Sequence, residues 1–200
     1  MNKREQNKQI IRAKLLEESL KLFSEIGVQQ TTVSDIVSVC NIGRGTFYNY
    51  FDDVKSVMNE LIEEMYTEIR IAANEAREDA NNLYQMLYQS FMCYLDYVSR
   101  PGLKKFHRIN QAYIRSAGYS SKAIRSLILD LQNDLTQLKE FGDYKEKYEV
   151  QLLSVILVGT PVELFLNIHQ INTKISNEEL ADFLAKLFAK AIRPSKSPKS

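Results

Sequence analysis

Residues 31–51 read "TTVSDIVSVCNIGRGTFYNYF", and the last five hold four aromatics, Phe47, Tyr48, Tyr50 and Phe51, straight after a loose turn containing Gly43 and Gly45. At about 100° per residue, a short helix over 45–51 places Phe47 and Phe51 on one side and Arg44, Tyr48 and Asn49 on another. One face can anchor in a core while the other reaches outward. Just upstream, Thr31 or Thr32 can cap a helix over about 33–40, and Thr32 followed three residues later by Asp35 is an Asp-containing version of the capping box. Asn41, Ile42 and Gly43 supply the turn between the two short helices.

Before this stretch, apolar residues at Ile11, Leu15, Leu22 and Ile26, flanked by Leu16, Leu20 and Phe23, predict a helix over about 10–26, with Gly27 as its C-cap glycine. After it, Asp52 and Asp53 can cap a helix whose stripe Val54, Val57, Met58, Leu61, Ile62, Met65, Tyr66 and Ile69 faces a different core and bridges two domains. Residues 81–99 are apolar nearly all round, as in a centrally buried helix. "RPG" at 100–102 breaks it, and helices over about 103–113, 121–139 and 145–170 follow, the last carrying Pro161 and expected to kink there. Ser176 and Glu179 form a full capping box for a final helix, in which Leu180, Phe183, Leu184, Leu187, Phe188 and Ile192 mark one face. No run alternates apolar and polar residues as a half-buried strand does. The expectation is an all-α protein of about nine helices, with domains at 1–53 and 54–193 and a Pro, Ser and Lys rich tail at 194–200 that is expected to be disordered.

A chain of 200 residues, 44% hydrophobic, can bury a sizeable core. Its net charge of +1 advertises no polyanion globally, so a nucleic-acid surface must come from local charge. Cys40 and Cys93 match no CxxC spacing and read as reduced core thiols, which points to the cytoplasm. The charged opening "MNKREQNKQIIRAK" lacks the apolar stretch of a secretory signal and reads as a basic arm entering a helix. "LLSVILVGTPVELFLNI" at 152–168 is interrupted by Gly159, Thr160, Pro161 and Glu163 short of the roughly 20 apolar residues of a membrane span, so no membrane is expected.

Helix, short helix, tight turn, short helix is a helix-turn-helix, whose second short helix lies in the major groove of DNA. Phe47 and Phe51 then lock that helix to its neighbours and leave Arg44, Thr46, Tyr48 and Asn49 facing outward. Arg44 can neutralise a phosphate or fork onto a guanine, and Asn49 can pair with an adenine. Gly45 permits close backbone approach. Thr46, Tyr48 and Tyr50 offer hydroxyls suited to phosphate oxygens. Lys55, at the start of the next helix, suits a phosphate too.

These residues closely resemble the signature of the tetracycline-repressor (TetR) family of bacterial transcription regulators over roughly residues 10–60. The family pattern is a threonine pair, a short helix with a central Ile, a small-residue turn, then Gly-Thr, an apolar residue, Tyr, a variable residue, Tyr or His, and Phe. Here it falls on Thr31, Thr32, Ile36, the turn at Gly43, and Gly45 to Phe51. Two departures stand out. The family's backbone-touching lysine, three residues after the Phe, is Val54 here, with Lys55 one place on, and its usual Ala-Gly-Val-Ser turn reads Cys-Asn-Ile-Gly.

The resemblance implies DNA contacts among Thr31, Thr32, Arg44, Gly45, Thr46, Tyr48, Asn49, Tyr50 and Lys55, and a C-terminal helical domain for ligand binding and dimerisation. Aromatic and polarizable residues mid-chain are pocket candidates: Tyr66, Phe91, Met92, Tyr94, Phe106 and Tyr113. The apolar residues Leu157, Val158, Val162 and Phe165, with Phe183 and Leu187 of the last helix, are candidates for a homodimer face. His107 beside Lys104, Lys105 and Arg108 suits an anionic ligand or a plain solvated basic face.

The expected function is a homodimeric repressor released from a palindromic operator in double-stranded DNA by a small-molecule effector. The alternative is an architectural or co-regulator protein acting through many sites or a protein partner, without an effector. An enzyme is not expected, since no HExxH, GxSxG or Walker loop occurs, His107 and His169 are far apart in sequence, and no cofactor or metal is called for.

Overall fold

The computed structural model describes residues 3–137, 147–168 and 174–192, and with them nine α-helices. In order these are α1 (Lys3–Glu25), α2 (Val33–Cys40), α3 (Arg44–Tyr48), α4 (Val54–Glu78), α5 (Leu83–Val98), α6 (Leu103–Gly118), α7 (Lys122–Gln137), α8 (Lys147–Asn167) and α9 (Asn177–Ile192). The tail at 194–200, the chain around Gly142 and His169 lie outside the described residues. The chain forms two compact units, one of residues 1–65 with 100–121, the other of 66–99 with 122–200. The first therefore holds α1 to α3, the opening turns of α4 and the whole of α6.

Helix starts follow the polar residues that can satisfy free backbone donors. Thr32 Oγ1 accepts from Asp35 N–H at 3.2 Å while the Asp35 carboxylate accepts from Thr32 N–H at 2.8 Å, a complete capping box on α2. Those bonds, the Thr32 hydroxyl first, hold the Asp35 carboxyl below its ordinary range. Asp53 and Ser56 cap α4 reciprocally, and Ser176 and Glu179 cap α9 in the same manner. The first helix begins at Lys3, well before the expected start near residue 10, because Lys, Arg, Glu and Gln favour helix without any apolar periodicity to advertise it.

One buried amide organises the first unit. Gly27 ends α1 with φ of +81°, and a side chain there would bring Cβ to 2.9 Å from Ile109 Cγ2 on α6. Asn110, 3% exposed, reaches this corner from α6. Its Oδ1 accepts from Val28 N–H at 2.7 Å, and its Nδ2 donates to the carbonyls of Phe23 and Phe106, each at 2.8 Å. The end of α1 is thus capped by another helix rather than by its own sequence. Beside it, His107 is buried, with its ring edge-on to Phe106 at 5.6 Å, while Lys104, Lys105 and Arg108 point to solvent. This corrects the grouping of His107 with those cations, since helical periodicity turns it inward.

In the second unit α5 packs along α9, and α7 against α8. Arg70 Nε donates to Asp130 at 2.6 Å and Arg77 Nε to Asp134 at 2.6 Å, two ties from α4 to α7 about two turns apart along α4 and about one along α7. Pro161 sits inside a helix that continues through it. Among the described residues one helix, 148–167, is long and apolar enough to cross a membrane by length and composition.

Two outcomes follow. Asn110→Ala strands the Val28 donor and the Phe23 acceptor in the interior, so urea unfolding should show a loss of about 3 kcal/mol. Burial lowers the His107 pKa to about 4. The unfolded chain, with an ordinary histidine pKa near 6.5, takes up the proton first as pH falls. The stability associated with neutral His107 is present above about 6.5 and lost as pH drops toward 4. His107→Phe should flatten that part of a plot of urea midpoint against pH.

Candidate nucleic-acid interface

The reading surface is built on a five-residue helix. Phe47 is wholly buried and Phe51 nearly so, with ring centroids 6.0 Å apart. Burying a side chain of this size contributes about 2 to 3 kcal/mol, which ties α3 to the corner made with α2. Arg12 of α1 lies over the Phe51 ring at 5.7 Å and pairs with Glu60 of α4. The turn before α3 depends on Asn41, whose φ of 51° and ψ of 51° are left-handed. Asparagine tolerates that conformation better than other side chains apart from glycine, which explains how it occupies a place where the resemblance has Gly. Gly43 caps α3 through its backbone, its carbonyl accepting from Thr46 N–H at 2.9 Å, with no side-chain cap.

The expected contact residues divide into three groups. Arg44, Gly45, Tyr48 and Asn49 are exposed along α3 and its end, with Tyr48 52% accessible. Thr46 and Tyr50 are half-buried, and Lys55 is exposed in the first turn of α4. The threonine pair is different. Thr31 is buried and its hydroxyl donates to the Gly27 carbonyl at 2.8 Å, while Thr32 donates its hydroxyl to Asp35 at 2.7 Å. The Thr31 side chain is withdrawn from any outer surface, a correction to its place among contact residues, and Thr32 acts as a cap.

Spacing within 31–55 could not show that the start of α1 joins this face. Arg4, Lys8 and Ile11 share a groove with Asn49 and Tyr50. The signal was the basic opening of the sequence, but only folding brings two cations beside the end of α3.

A second candidate site lies in the other unit. Tyr66, Phe91 and Tyr94 line a cavity between α4, α5, α7 and α8, together with Leu87, Leu131 and Leu157. Its empty space is about 500 Å³, of which about 40 Å³ admits a water-sized sphere, so it is a seam rather than an open chamber. Of the other pocket candidates, Met92 is half-buried and does not line this seam. Phe106 is fully buried in the first unit, and Tyr113 donates to Asn59 there at 2.8 Å.

The apolar face of α8 also differs from expectation. Leu157 is buried, Val158 and Val162 line the seam, and Phe165 packs edge-on to Tyr94 at 6.3 Å. The outward stripe is instead Tyr148, Leu152, Val155 and Ile156, while on α9 Phe183 and Leu187 are exposed as expected. A helix that is apolar all round has no sequence periodicity to reveal which side is covered.

Residues 15–61 match the family model of bacterial regulatory proteins, tetR family. This segment is a helix-turn-helix of the TetR type. The match runs from within α1 through the helix-turn-helix into the first turns of α4. Over 122 residues the chain is 23% identical to the uncharacterized HTH-type transcriptional regulator YhgD of Bacillus subtilis, covering 60% of this chain and 61% of that one. It is 29% identical over 80 residues to IcaR of Staphylococcus aureus, the negative transcriptional regulator of the biofilm operon icaADBC, covering 38% of this chain and 43% of IcaR. The chain thus matches about two-fifths to three-fifths of the length of these curated relatives. Its fold is that of the transcriptional regulator FadR of Bacillus subtilis, solved in complex with stearoyl-CoA, with a TM-score of 0.72, 17% identity, and 88% and 97% of the two chains covered.

A Cβ added at Gly45 would meet no atom of the described chain within 4 Å, so nothing in the fold requires glycine there. Gly45→Ala in this TetR-family helix should leave stability unchanged or raise it by up to about 1 kcal/mol. It should also weaken binding to a selected DNA duplex at least tenfold in a mobility-shift titration.

Proposed function

We propose that this chain is a homodimeric repressor that holds a roughly palindromic operator and releases it when a small-molecule effector enters the seam of the second unit. One observation carries the reading: the same chain that presents Arg44, Tyr48 and Asn49 on a helix-turn-helix also encloses an apolar, aromatic-lined cavity in a separate compact unit. Only about 40 Å³ of the seam admits a water-sized sphere, so entry of an effector requires its walls to part. The stearoyl-CoA complex of FadR, which shares the fold, supports a ligand in this class of protein, and IcaR, a negative regulator, supports repression.

Homodimerisation accounts for the outward apolar stripes of α8 and α9. Only 28% of the most apolar stretch of α8 is buried within its own chain, and a second copy is the partner every copy has available. Two copies would present α3 to half-sites about one DNA turn, 34–36 Å, apart or modestly more. In this reading residues 1–53 act on DNA and 54–193 on effector and partner, and the protein works in the cytoplasm. Arg44 and Asn49 read bases, Tyr48 and Tyr50 fix register on phosphates, and Lys55 adds charge, joined by Arg4 and Lys8. Release requires only that the effector bind one conformation better than the other.

Selection of bound fragments from randomised duplex DNA tests this. The expected result is an inverted repeat whose log affinity falls against log salt with a slope of about 0.9 per phosphate contact, bound by protein that sediments as a dimer. Recovery of unrelated single half-sites by a monomer would overturn it.

A further inference from the structure

We propose that the seam of the second unit takes an uncharged, mainly apolar molecule bearing a carbonyl oxygen, and that this oxygen accepts a hydrogen bond from the Tyr94 hydroxyl. The inference rests on reading that seam as the effector site and names the chemistry it selects.

Four polar side chains line the seam, Tyr66, Arg77, Ser90 and Tyr94, and the bonding states of the last three differ. Arg77, 8% exposed, is engaged: Nε donates to Asp134 at 2.6 Å, one terminal nitrogen to Asn74 Oδ1, and the other faces Ser90 Oγ at 3.4 Å. Ser90 in turn donates to the Met86 carbonyl at 2.8 Å. The cation is therefore balanced by Asp134, and the serine proton is spent. Tyr94 has no such arrangement. It is 5% exposed, lines the seam, and its hydroxyl oxygen has no hydrogen-bond partner among the described residues.

Buried polar atoms are paired in the great majority of cases, so an exception held in place asks for a reason. Packing against the edge of Phe165 fixes the Tyr94 ring, with an interplanar angle of 84°. Burial pushes the Tyr94 pKa well above its ordinary value, and Tyr66 and Glu163 add to the effect. The group stays a neutral O–H, a good donor in surroundings where the bond is electrostatically strong. An incoming acceptor recovers the desolvation already imposed on the hydroxyl.

Charge on the ligand would be penalised. A carboxylate would leave water for a site whose one cation already has its counter-ion, and an ammonium would find Asp134 already engaged. The remaining walls, among them Ile69, Leu87, Leu131 and Leu157, favour hydrocarbon. A ketone, ester or lactone oxygen on an apolar frame satisfies both conditions.

Calorimetric titration of the full chain with nonane, nonan-2-one and nonanoate tests this directly, in the native protein and in Tyr94→Phe, which keeps the ring and deletes only the hydroxyl. The ratio of ketone to alkane affinity should fall about tenfold in the variant, while the alkane affinity changes less than about twofold. Nonanoate should bind the native protein at least about tenfold more weakly than the ketone. Without ligand, Tyr94→Phe should melt at a higher temperature than the native chain, because it removes an unpartnered hydroxyl. Equal ratios in the two proteins, or tighter binding of nonanoate than of ketone, would overturn the carbonyl assignment and leave the effector site standing. No binding of any of the three up to its solubility limit would overturn both.

Discussion

A five-residue helix has no stability of its own. Nucleation costs more than so few hydrogen bonds return, and isolated helices are marginal below about 12 to 15 residues. α3 exists because Phe47 is wholly buried and Phe51 nearly so against its neighbours, and everything its outer face presents hangs on that burial. The same two rings set the rotation of the helix. With Phe47 inward, Arg44, Tyr48 and Asn49 have only the outside left to them. The outward polar side chains and the residues that stabilise the fold are therefore divided between two faces of one short element.

The corner beneath it is held by polar chemistry of an unusual kind. α1 ends at a glycine with positive φ, and the backbone groups released there are met by the Asn110 amide of α6. A side-chain amide has both donors and an acceptor, so one residue can satisfy Val28 N–H and the Phe23 carbonyl together. This places α6 in the same compact unit as the helix-turn-helix although more than fifty residues separate them in sequence. Any change in the conformation of α6 would be felt at the end of α1, where the turn into α2 begins.

The second unit has the opposite character. The polar groups between α4 and α7 are strongly committed: Arg70 and Asn74 to Asp130, Arg77 to Asp134. Burial alone would raise the Asp130 carboxyl, but the bonds from Arg70 and Asn74 outweigh it and hold the pKa below its ordinary value. Around these ties the interior is hydrocarbon and aromatic ring, closed to a seam. Such a site discriminates by shape and by the few hydrogen bonds left unmade, so the Tyr94 hydroxyl, without a partner among the described residues, carries more information about a ligand than the apolar residues around it.

The sequence by itself determined the helices, their caps and the helix-turn-helix, because these are local: Thr32 with Asp35, Asp53, and Ser176 with Glu179 act within one turn of chain. It also determined the inward Phe47 and the exposed Arg44, Tyr48 and Asn49, since a spacing of four on a helix settles a face. Only the tertiary structure decided what depends on residues far apart. It withdrew Thr31, turned His107 inward, brought Arg4 and Lys8 beside Asn49, and separated Tyr66, Phe91 and Tyr94 from Phe106 and Tyr113. It also chose which side of α8 is covered, burying Leu157 and leaving Leu152 and Ile156 outside. Periodicity sorts apolar from polar and is silent where a helix is apolar all round, so that choice belongs to the neighbours it packs against.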